Sequence, residues 1–306
     1  MTTDFNISVN KKLVLVIATI TAFILPFLIA SVNVGLPTMG REFGMEAVVM
    51  SWVSTVYFLA IAMAQVPIGR LSDIYGRKKL FIIGLCIAAG SSFVAGFANS
   101  VPLLLVSRAC QGLGAGMTFN NSIAILSSVY PREERGRALG ISMAGVYAGL
   151  SLGPLIGGFL TENLGWRSIF YTCGILCILL LVMVFLALKT EWREARGEKF
   201  DLRGSIIFSL SIAMFMYGFS TINTVPGMAL CAVGVVGLLF FVRWEFRVPS
   251  PIFHFSLFRE NRVFLFSNLA ALITYLSTYA VTFLLSLYLQ YIQGFSPQKA
   301  GLVLIA

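Results

Sequence analysis

Nine apolar runs, each long enough to cross a bilayer, alternate with short polar connections, and this pattern sharply limits what the chain can become. A helix needs about 20 apolar residues to span the hydrocarbon core. Only helices and closed barrels satisfy their own backbone there. The runs cover residues 13–36, 48–68, 80–98, 101–126, 138–160, 168–188, 204–222, 225–242 and 263–291, and a tenth begins near Gln298. Charged residues make up only 11% of the 306, against about 25% in soluble domains. An all-α polytopic membrane protein is expected. The first run is too long for a signal-peptide core, and no small-residue cleavage pattern follows it.

The formal charge of +9 is a matter of topology. With the N-terminus in the cytoplasm, 18 of the 22 Lys and Arg fall in inner segments and 3 (Arg41, Arg167 and Lys299) in outer ones. Arg108 alone is embedded. Missing or adding one span would invert every later loop, so this bias supports both the count and the orientation. The basic loops then face anionic lipid headgroups of a plasma-membrane bilayer, and no nucleic-acid partner is expected. Cys173 and Cys177 share a helical face without a nearby histidine, and they read as packing residues rather than a metal pair.

The connection after the second run reads Gly69-Arg70-Leu71-Ser72-Asp73-Ile74-Tyr75-Gly76-Arg77-Lys78-Lys79. Gly69 and Gly76 suit a tight turn, and Asp73 can pair with Arg77 four residues on. This run resembles the signature between helices 2 and 3 of the major facilitator superfamily. The resemblance implies a six-helix domain with an inverted three-plus-three repeat, moved against a second domain by alternating access. It also implies that Gly69, Arg70, Asp73, Gly76 and Arg77 form an inner gate, with Asp73 meeting a helix N-terminus of the second domain. An internal echo agrees: Leu71 to Gly76, ending at Leu80-Phe81, returns 89 residues later as Leu160 to Gly165, ending at Ile169-Phe170. The copies lie three spans apart on opposite faces, as an inverted repeat requires.

Span 5 carries Gly145, Gly149, Gly153, Pro154, Gly157 and Gly158. Glycines four apart let another helix approach closely, and Pro154 removes a backbone donor and bends the helix. The pattern is similar to the antiporter-associated motif of the superfamily. That likeness implies that Gly149, Gly153, Pro154 and Gly157 bend the helix, seal the inner domain interface and serve export. In span 4, Arg108 precedes Gln111-Gly112. An embedded Arg is costly and usually faces a cavity or an internal partner. Together with Asn33, taken to lie one turn below the outer surface, Arg108 and Gln111 are expected to form one polar layer. Carbonyls and amides of span 1 would then hold the guanidinium.

Residues 1–188 thus read as the six-helix transport domain and 189–203 as a solvated cytoplasmic linker. Residues 204–244 supply two additional helices, and 245–306 a loop and the start of a second, truncated domain. The two added spans, with Pro251-Ile252-Phe253 and the run from Leu257 to Arg262, resemble the fourteen-helix drug–proton antiporter branch, of which this chain would be the N-terminal two-thirds. That branch usually carries an Asp in span 1, where this chain has Leu28. None of the 13 acids lies mid-span, so coupling to protons is in doubt.

The expected function is secondary transport, with efflux of hydrophobic or amphipathic small molecules. A specific metabolite carrier working by uptake or exchange, or a non-transporting truncated paralogue, is the alternative. An enzyme is not expected: there is one histidine, no embedded acid pair and no acid-rich loop. No cofactor is implied, and no phosphate-binding loop for ATP-driven transport is present.

Overall fold

The computed structural model describes residues 10–305, all of them helix or connection. The helices are α1 (Lys11–Phe43), α2 (Ala47–Tyr75), α3 (Arg77–Gly96), α4 (Val101–Val129), α5 (Arg132–Leu164), α6 (Arg167–Ala187), α7 (Leu202–Ser220), α8 (Val225–Glu245), α9 (Ser256–Glu260), α10 (Arg262–Leu287, continued by a π-helical turn Tyr288–Ile292) and α11 (Pro297–Ile305). Eight of them are long and apolar enough to cross a membrane. The 29-residue α4 is equally long but too polar for that description. It nevertheless packs against α1, α2 and α3 inside the bundle.

Several elements run past the expected boundaries. α1 continues through Pro37 to Phe43 and stops where Gly44 takes a left-handed conformation and donates to the Gly40 carbonyl. Its last turn is held by Glu42, which accepts from Trp166 Nε1 at 2.6 Å and pairs with Arg167 at 2.6 Å. Asn33 accordingly sits ten residues, about 15 Å, below the end of the helix rather than one turn. α2 likewise continues to Tyr75, so the expected loop shrinks to Gly76. Gly69 lies inside the helix, with nothing within 4 Å of where a Cβ would stand, and is no turn residue.

Helices α1–α6 form one body whose contacts repeat. The long packing of α1 on α5 is matched by α4 on α2, and that of α3 on α4 by α6 on α1, with α3 and α6 meeting across the middle. Exchanging α1 with α4, α2 with α5 and α3 with α6 maps this set onto itself. The echo falls at equivalent places: Gly76 joins α2 to α3 at φ +122°, and Gly165 joins α5 to α6 at φ +81°. Both values lie where only glycine sits without strain. The core between the helices is apolar, built around Phe81, Leu85, Leu104, Leu126, Ile169 and Phe170.

The α7–α8 hairpin leans on this body through α2, where Ser209 donates to the Met63 carbonyl at 2.8 Å. α10 reaches α1 at Ser286, near its C-terminal end, and α11 lies on α5. We call the end that carries the α2–α3 junction and the 189–203 segment the basic end, and the end that carries the α5–α6 turn the opposite end.

Candidate functional site

The polar centre of the six-helix body is built on α4. Arg108 is fully buried. Its Nε donates to the Val53 carbonyl of α2 at 2.9 Å, and its Nη1 donates to Gln111 Oε1 at 2.9 Å. The guanidinium lies 4.2 Å above the Tyr57 ring, a cation–π arrangement that strengthens as water is excluded. Gln111 passes the chain on by donating to Ser92 Oγ of α3 at 2.8 Å. Asn33 accepts from Ser54 Oγ at 3.0 Å, one residue from Val53. Arg108 was expected to be held by span 1; the hydrogen bonds described for it run to a carbonyl of α2 and to a neighbour on α4. The reason is Gly112, which lets α4 pack directly on the Tyr57 backbone and brings the α2 carbonyls within reach.

Beside this centre is a cavity of about 30 Å³ lined by Leu28, Tyr57, Ser92, Gln111, Cys173 and Cys177, among other neutral residues. That volume holds a water or two, not a cargo molecule. Leu28, where the antiporter branch carries its Asp, faces it without a charge. All five cysteines are free thiols, and no cluster of three or more metal-binding side chains occurs among the described residues. Nearer the basic end, Gln65 and Asn120 hydrogen-bond across α2 and α4, while Tyr147 is exposed.

The glycine face of α5 is a seam against α1. A Cβ on Gly145 would meet the Thr19 carbonyl at 2.5 Å, one on Gly149 the Phe23 carbonyl at 2.5 Å, and one on Gly157 the Ser31 Cα at 2.5 Å. Ser31 Oγ donates to the Gly153 carbonyl at 2.9 Å across the seam. The other side of the same stretch meets α11: Gly301 packs on the Pro154 carbonyl and Gly158 on the backbone of Pro297 and Gln298. The Gln298 backbone also donates to Glu162 at 3.1 Å. The seam is internal to the six-helix body, and the contact with α11 lies in the half of α5 nearer the opposite end. Two further bonds sit beside it, from Ser286 to the Asn33 carbonyl (3.1 Å) and from Gln290 to the Val34 carbonyl (3.0 Å).

At the basic end, Arg77 bridges Asp73 (2.7 Å) and Glu194 (2.7 Å) and donates to Ser128 Oγ at 2.6 Å. The Asp73–Arg77 pair forms as the spacing suggested, but across the helix break rather than along one helix. Glu194 belongs to the segment read as a solvated linker, and that segment is docked. Glu191 accepts from the Lys78 and Lys79 backbone at 2.8 and 3.1 Å, capping the otherwise uncapped start of α3. Glu198 pairs with Arg70. Backbone bonds from Arg77 to the Trp192 carbonyl and from Ala195 to the Asp73 carbonyl, both 3.0 Å, complete the strap. Sequence reasoning missed these three glutamates. The signal was available in acids at 191, 194 and 198 of a segment opposite a run of four basic residues.

Residues 18–306 match the profile of the Major Facilitator Superfamily. The chain belongs to this family. It is 31% identical over 97% of its length to the multidrug resistance protein Stp of Mycobacterium tuberculosis (strain CDC 1551 / Oshkosh), covering 56% of that protein. It is 29% identical over 96% of its length to the riboflavin transporter RibZ of Clostridioides difficile (strain 630), covering 64%. The chain thus spans between half and two-thirds of these relatives' lengths. A crystal structure of a peptide transporter in complex with sulfate superposes with a TM-score of 0.68 over 94% of the chain at 16% identity, a likeness of fold. Family and relatives are transporters, not enzymes.

Proposed function

We propose that this superfamily chain works in a secondary active exporter of hydrophobic or amphipathic small molecules, in the plasma membrane, with the basic end in the cytoplasm. The observation that carries the reading is the double use of α5. One side is packed backbone-to-backbone on α1 along four glycines, and the other meets α11 at Pro154 and Gly158. A helix without side-chain bulk on either side is suited to let one body rock on another while both stay in van der Waals contact. The orientation rests on the bias of Lys and Arg toward the connections at one end. The relative named as a multidrug resistance protein supports the export direction.

In this reading Asn33, Arg108 and Gln111 keep the polar centre of the body in register, while Asp73, Arg77 and the strap hold the basic end. The cavity beside Arg108 is too small for cargo. Cargo then travels between the six-helix body and the second body that α10 and α11 begin. The likeness to a protein named as a riboflavin transporter favours a second reading, a carrier for one metabolite.

Flux in oriented vesicles tests both. Ethidium extruded against its gradient, and lost in Gly149→Leu, is the outcome expected of the exporter. Riboflavin movement without ethidium movement overturns it in favour of the metabolite carrier. A pH gradient that changes neither flux removes the proton as coupling ion.

A further inference from the structure

Where the strap reaches α7, a second acidic group is enclosed that none of the contacts above requires. Glu245, the last residue of α8, is only 4% exposed. Its Oε2 accepts from the Phe253 backbone at 2.9 Å, the Ile252 backbone N–H also approaches the carboxylate, and Oε1 is buried without a well-aligned hydrogen bond among the described residues. Asp201 stands beside it. It accepts from the Gly204 backbone at 3.0 Å, starting α7, and from Trp244 Nε1 at 2.7 Å. Asp201 Oδ2 and Glu245 Oε1 lie 2.5 and 2.8 Å from the point where a Cβ on Gly204 would stand, so the two carboxylates face each other over a glycine.

Cations do not resolve this. Arg70 of α2 acts on Glu245 electrostatically but is held by Glu198. Arg203 follows Asp201 on α7, Arg243 precedes Glu245 on α8, and Arg247 and His254 lie in the next connection. None of them forms an ion pair with Glu245 or Asp201 among the described residues. Two carboxylates sharing one enclosure resist being charged together, and an unpaired buried acceptor is costly. A proton on Glu245 relieves both, removing one of the two charges that share the enclosure with Asp201.

We propose that Glu245 and Asp201 form a proton-binding site at the basic end, holding one proton between them. The site lies where the strap, α7, α8 and the connection to α9 meet, so gain or loss of that proton changes the charge at the root of the strap. The proposal goes beyond the transport reading and does not depend on it, since its readout needs no cargo.

pH-difference infrared spectra of the chain in lipid nanodiscs test it. The expected result is a protonated-carboxyl band whose midpoint lies above the ordinary carboxylate range, which disappears as the pH is raised and is absent from Glu245→Gln, which keeps the shape and the acceptor for Phe253. In Asp201→Asn the midpoint of that band should fall, because the neighbouring charge is gone. A wild-type spectrum without the band overturns the proposal, as does a band that persists in Glu245→Gln. Should Glu245→Gln not fold, Asp201→Asn decides alone, and an unmoved midpoint overturns the site.

Discussion

Arg108 brings a charge into an apolar bundle, and what makes this tolerable is geometry more than counter-charge. Its partners include a carbonyl, an amide oxygen and a ring face, which together suit a planar fork and not a point charge. Arg108→Lys should therefore lose about 2 kcal/mol of stability although the charge is kept, read as a lowered melting temperature in detergent. Unchanged melting would mean that charge alone matters there. The α5 seam gives a paired prediction. Gly149→Ala places a methyl 2.5 Å from the Phe23 carbonyl and should cost about 1–3 kcal/mol. Gly140→Ala, on the same helix with nothing within 4 Å, should be neutral or stabilise by up to about 1 kcal/mol.

At the scale of elements, the junction between α2 and α3 separates two glycines that look alike in sequence. Gly76 sits at φ +122° against the Glu191 carboxylate, whereas Gly69 is an ordinary helical residue in open space. Gly76→Ala should lower the melting temperature, and Gly69→Ala should leave it unchanged or raise it. The strap is testable by proteolysis. In Glu191→Ala/Glu194→Ala, trypsin cleavage at Arg193 or Arg196 should quicken severalfold, since local opening no longer breaks the cap on α3 and the Arg77 pair. Equal rates would mean that the strap is held by its backbone bonds alone.

These two elements also show where sequence reading succeeds. The Leu71–Gly76 echo at Leu160–Gly165 was legible because both copies keep a glycine where the backbone turns left-handed. The position of every long helix was legible because apolar length is a property of the segment itself. Gln111 beside Arg108 was legible from the spacing, but the Val53 carbonyl was not, because a carbonyl leaves no mark on residue type. The docking of residues 189–203 was missed for a related reason: a string of both charge signs reads as solvated until the surface it faces is known. The depth of Asn33 is not legible either, because Pro37 has the look of a helix end and the helix passes through it.

Across the whole molecule, the contacts between the six-helix body and the helices after α8 gather at the opposite end, where Ser286 and Gln290 reach α1 and Gln298 reaches Glu162. Cysteines placed at Glu162 and Gln298 in a background without the native thiols should cross-link rapidly under mild oxidation in proteoliposomes. A pair at Gln65 and Thr274 should do so slowly, if at all. If both pairs react alike, the closure seen at the opposite end is not the favoured state. The α7–α8 hairpin is tied to the six-helix body at both levels, by Ser209 on Met63 within the bundle and by the strap at the basic end.

The strap also bears on how the chain is made. Its glutamates bind residues 112 to 128 positions earlier in the chain. The start of α3 thus stays uncapped, and Arg77 lacks Glu194, until α6 has left the ribosome and been inserted with its flanking acids on the correct side. A six-helix body threaded with α6 reversed would strand those acids across the bilayer from Arg70 and Arg77. The contacts that hold the finished junction can therefore form only once α6 has been laid down in the right sense.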